Sequence, residues 1–174
     1  MAHMSLAWPC ALSPDAPKRA HSAYLRAVVA ALGPHAGSAE WDDSLAGTGP
    51  DGEEIMLLEA FVDVAGGIWT LVWNQMAGWS YSIAPLDDED DEPKERLPLI
   101  TGAIVPPADA VALAVRTLAE RGPTALPAHA DEIPIPVGAQ VGVEQREFME
   151  LGYITPDTAQ RLAVYSLAED LLRT

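Results

Sequence analysis

Four histidines, one cysteine and twenty-six carboxylates make up most of the reactive stock of this 174-residue chain, and their spacing decides what they can do. Nucleophilic catalysis needs a Ser or Cys held against a base. Cys10 lies in a Pro-flanked N-terminal stretch, poorly placed for pre-organisation, and reads as incidental. The string Gly78-Trp79-Ser80-Tyr81-Ser82 lacks the second glycine of a nucleophile elbow and reads as the start of a strand. His21, His35 and His129 fall on a helix, a helix end and a proline-rich stretch. No two of them have metal-ligand spacing, so they read as ordinary surface histidines. A single cysteine excludes an internal disulfide and a thiolate-rich zinc site, and it suits a reducing compartment, the cytoplasm by default.

Carboxylates are so common here that any pair is weak evidence. Asp42/Asp43, Asp51/Glu53/Glu54 and the run Asp87-Asp88-Glu89-Asp90-Asp91-Glu92 all lack the spacing of a calcium loop. They predict weak, non-specific cation binding and no dedicated metal site. No glycine-rich nucleotide fingerprint, phosphate loop or kinase lysine motif is present, so no cofactor is expected.

The charge itself is informative. Twenty-six acids stand against ten bases, for a net charge of −16. Residues 36–93 hold fourteen of the acids and no Lys or Arg, whereas residues 1–35 hold Lys18, Arg19 and Arg26 against Asp15 alone. Such a field repels phosphate backbones and anionic lipid, and it favours a partner with a basic surface; plain solubility is the blander account. No apolar run approaches the roughly 18 residues of a membrane span.

Tryptophan is the second signal. Trp69 and Trp73 share one face of a strand, and Trp79 and Tyr81 share one face of the next. If the register aligns them, they form either core beneath helices, the favoured reading, or an aromatic platform for a peptide or ligand. Thr70, Val72 and Asn74 then face the other way.

The elements that must position these residues follow from periodicity. Met1-Ala2-His3-Met4 reads as a cloning scar, and residues 1–16 form it together with an extended lead-in. A helix starts at Pro17 with Ala20, Tyr24, Ala27, Val28, Ala31 and Leu32 on one side, and Gly33-Pro34 ends it. Residues 36–53 read as loop, with a short strand around Trp41. From Glu54 the period is two: Met56, Leu58, Ala60, Val62 and Val64 oppose Ile55, Leu57, Glu59, Phe61 and Asp63. Gly66-Gly67 predicts a tight hairpin into residues 68–73, a turn spans residues 74–78, and residues 79–84 return as a third antiparallel strand. Residues 87–92 must be an exposed loop, and residues 97–105 read as a fourth strand.

After Pro106-Pro107 a second helix buries Val111, Val115 and Leu118 and closes at Gly122. Residues 123–140 read as a proline-rich connector with Ile133, Ile135 and Val137 against the core. Residues 141–174 read as a helical hairpin, its second arm capped by Thr155, Pro156 and Asp157. The sum is an α+β fold: a three- to four-stranded antiparallel meander packed by two helices over residues 17–122, plus the C-terminal helical hairpin.

The stretch from His21 to Leu32, followed by Leu71-Val72-Trp73 and Gly78-Trp79-Ser80-Tyr81, resembles an uncharacterised family of small actinobacterial proteins. The similarity covers about residues 18–121, and eight arginines against two lysines fit a high-GC source. The resemblance implies no activity.

The expected function is a non-enzymatic protein-binding module, of adaptor, chaperone-like or immunity-like type. Its binding residues are Trp69, Trp73, Trp79 and Tyr81 with Asp87, Asp88, Glu89, Asp90, Asp91 and Glu92. The alternative is a small-molecule sensor or enzyme with a Trp-lined pocket. DNA binding through the C-terminal hairpin is disfavoured, because three arginines there face six acids. Packing against the domain or self-association suits those helices better.

Overall fold

The computed structural model describes residues 21–48, 52, 54–83, 95–135 and 155–173. Strict alternation makes Glu54–Val64 (β2) the longest regular run in the sheet, and Leu58, Ala60, Val62 and Val64 on it are fully buried. Trp69–Asn74 (β3) and Gly78–Ile83 (β4) follow as antiparallel neighbours. Ala36–Thr48 (β1) flanks β2, and Leu97–Pro98 (β5) flanks β4, giving the order β1-β2-β3-β4-β5 with every pair antiparallel. The chain is therefore α+β, with a five-stranded meander instead of three or four strands.

The additional strand is β1, where the sequence reading had mostly loop. Gly37, Asp42, Asp43 and Gly47 lower its strand propensity. Pairing with β2 along its length overrides that preference, and two register shifts, between Ala36 and Ala39 and between Asp42 and Leu45, absorb the irregular pattern. The hairpin after β2 also differs. Val64 pairs with Trp69 around a four-residue loop, not a two-residue turn. Ala65, Gly66 and Gly67 all have positive φ there, which two glycines adopt at little cost.

The predicted fourth strand breaks early. After Leu97–Pro98 the chain leaves the sheet, and Ile100–Thr101 (β6) pairs in parallel with Ala128–His129 (β7). The proline-rich stretch is thus packed against its neighbour: Ala128 N–H donates to the Leu99 carbonyl, Ala130 to Thr101 and Ile133 to Val105, at 3.0–3.1 Å. Gly102 is required for this approach, because a Cβ there would lie 2.8 Å from both Ala130 O and His129 Nδ1. Ile133 is buried as expected; Val137 lies outside the described residues.

Three helices lie on one side of the sheet. Ser22–Leu32 (α1) buries Tyr24, Val28 and Leu32 at four-residue spacing, with Leu25 beside them. Ala108–Arg121 (α2) buries Val111, Val115 and Leu118 and ends at Gly122, whose N–H donates to the Leu118 carbonyl. Pro156–Arg173 (α3) is capped by Thr155, whose hydroxyl accepts the Thr158 N–H at 3.2 Å. Both α2 and α3 pack on α1, and Arg26 of α1 grips Glu169 of α3 through Nε and Nη2 at 2.6 and 2.7 Å. The predicted first arm of the hairpin lies outside the described residues. Among those described, no helix is long and apolar enough to cross a membrane.

Candidate functional site

The register does align the aromatic residues, with Trp73 opposite Trp79 and Leu71 opposite Tyr81. It places them under α1. Trp73 is 0% and Trp79 1% exposed, Tyr81 is buried, and Trp69 is half-buried with its ring edge-on to Tyr81 at 5.6 Å. The face they share is core and not an accessible platform, because three helices need an apolar floor and this is the only large one on their side. The indole N–H groups of Trp73 and Trp79 are also used internally. Trp73 Nε1 donates to the Ile104 carbonyl at 2.7 Å, and Trp79 Nε1 donates to the Tyr24 hydroxyl at 2.9 Å. That hydroxyl donates in turn to the Pro106 carbonyl at 2.9 Å. Trp41 Nε1 donates to Ser22 Oγ at 3.0 Å.

His21 corrects the reading of surface histidines. It is 1% exposed and its ring stacks on Trp73, centroids 6.0 Å apart and planes 15° from parallel. Burial raises the Tyr24 phenol well above its ordinary 10.0, although the Trp79 hydrogen bond works the other way, and burial also raises Tyr165 and Tyr81. Unfolded phenols ionise near pH 10, while the folded ones keep their protons. Above that pH the unfolded chain binds fewer protons, so stability is present below about pH 10 and is lost as pH rises beyond it. Urea midpoints are expected to fall from about pH 10 upward, and Tyr24→Phe to make that fall shallower. A wild-type midpoint unchanged well into the alkaline range would contradict this burial.

The acidic run Asp87–Glu92 lies outside the described residues. The sheet carboxylates with described side chains, Glu40, Glu59 and Asp63, stand on the opposite sheet face, away from the helices. Three cross-strand rows build that face: Asp63-Thr70-Ser82, Phe61-Val72-Ser80 and Glu59-Asn74-Gly78, with Glu40 on β1 beside Phe61 and Pro98 on β5 beside Ser80. Asp63 accepts from Ser38 Oγ at 2.6 Å and Thr70 Oγ1 at 2.9 Å. Glu59 pairs with Arg96, Nη1 to Oε1, at 3.3 Å.

That last pair says something about shape. Glu59 is on β2 and Arg96 immediately precedes β5, three strand spacings away, or about 14 Å on a flat sheet. Closing the gap to 3.3 Å takes two long side chains leaning inwards and a sheet curled towards this face. Val72 is 1% exposed, Thr70 and Ser82 are buried, and Glu59 is 8% exposed, so much of this face is covered although none of the described helices lies on it. This face holds buried Val72, exposed Glu40 and half-buried Asp63, and the Arg96–Glu59 pair crosses it. Ser82 Oγ is buried with no hydrogen-bond partner.

Chemically this face is acceptor-rich. It can receive donors, above all cationic ones. Among the described residues no three His, Cys, Asp or Glu side chains converge to hold a metal ion. The sequence signal for this face was the polar half of the period-two pattern, in Glu59 and Asp63 and then Thr70 and Asn74. The contribution of Arg96 had no local signal, since its partner is 37 residues away.

No curated protein and no solved structure matches the chain. A family model does match, over residues 24–117, the span from the buried Tyr24 through all five strands to the last turns of α2. The chain belongs to DUF6292, a family of unknown function.

Proposed function

We propose that this protein is a non-enzymatic binding module that receives a basic segment of a protein partner on the polar face of its sheet. The observation that carries the reading is the placement of Glu40, Glu59 and Asp63 on the one face without a described helix. The lack of any Lys or Arg over residues 36–93 leaves the surrounding field attractive to cations, with Arg96 the one described base beside it. Complementary charge speeds encounter and selects partners more than it adds raw affinity, so binding should be moderate and weaken with salt. A cytoplasmic setting fits the single cysteine, and an actinobacterial source fits the arginine usage.

A labelled eight-residue peptide of alternating arginine and glycine tests this by fluorescence polarisation at low salt. The double variant Glu40→Gln/Asp63→Asn is expected to weaken binding about five- to tenfold, two rim charges being removed. Asp109→Asn/Asp157→Asn alters the same number of charges on the helical side and is expected to change binding less than about twofold. Equal losses from the two pairs would reduce the effect to bulk charge and sink the reading.

A further inference from the structure

We draw no further inference here: the strongest candidate, the apolar patch at one end of the sheet where exposed Ile68 and Ile83 lie beside half-buried Trp69, carries nothing because nothing in the structure shows what covers it.

Discussion

Trp73→Ala is expected to remove about 3–5 kcal/mol of folding stability, the cost of emptying a fully buried aromatic site. For a typical total of about 5–15 kcal/mol, that is a third or more of what holds the fold together. The side chain sits at the centre of the sheet, opposite Ala60 on one side and Trp79 on the other, and its ring meets His21 and Tyr24 of α1. Its removal opens a cavity under the helix that organises the other two. Its N–H is also the donor to Ile104, so Trp73→Phe separates the two contributions. Phenylalanine keeps most of the ring but leaves that carbonyl without its donor, and should cost about 1–3 kcal/mol. Urea denaturation followed by far-ultraviolet circular dichroism checks both. A wild-type midpoint for Trp73→Ala would mean that α1 does not rest on this face.

Glu132→Ala is the second large effect, expected to cost about 2–4 kcal/mol. Nothing about Glu132 in the sequence marks it out among so many acids. In the fold its Oε1 accepts the Ile104 N–H at 2.6 Å and its Oε2 the Val105 N–H at 2.8 Å, while Arg161 of α3 lies 3.9 Å away and donates to the Ile133 carbonyl. One carboxylate thus joins the proline-rich stretch, the turn into α2 and the last helix. Alanine leaves the N–H groups of half-buried Ile104 and buried Val105 without partners. Glutamine restores one acceptor and turns its NH₂ towards the other N–H, so about half the loss is expected to remain. Because Trp73 holds the carbonyl of the same Ile104 residue whose N–H Glu132 holds, the two substitutions should not add. A double-mutant cycle is expected to show a coupling of at least about 0.5 kcal/mol. Strict additivity would mean that the Ile104 peptide is not shared between them.

These two residues mark where local reading succeeds and where it stops. Alternation along β2 put Leu58, Ala60, Val62 and Val64 on one side, and the four-residue interval between Trp69 and Trp73 put both of those on a single side. The Thr155-Pro156-Asp157 start of α3 was readable for the same reason: each signal lies within a few residues of its effect. β1 was missed because its glycines and aspartates argue against a strand, and only pairing with β2 supplies the hydrogen bonds that outweigh them.

The site shows the same boundary. Composition determined that the surface would be anionic, and periodicity that Glu59 and Asp63 would share a side of one strand and Thr70 and Asn74 a side of the next; the register joined the two. Whether the aromatic or the polar side would be covered could not be settled by either, because both sides of β3 are equally regular. That was decided by the position of α1, which laid Tyr24 and His21 on the tryptophans and left the carboxylates on the other face. The curl that brings Arg96 to Glu59 was likewise a property of four strands together. Side-chain periodicity is a one-dimensional signal; coverage and curvature arise only when segments far apart in the chain meet.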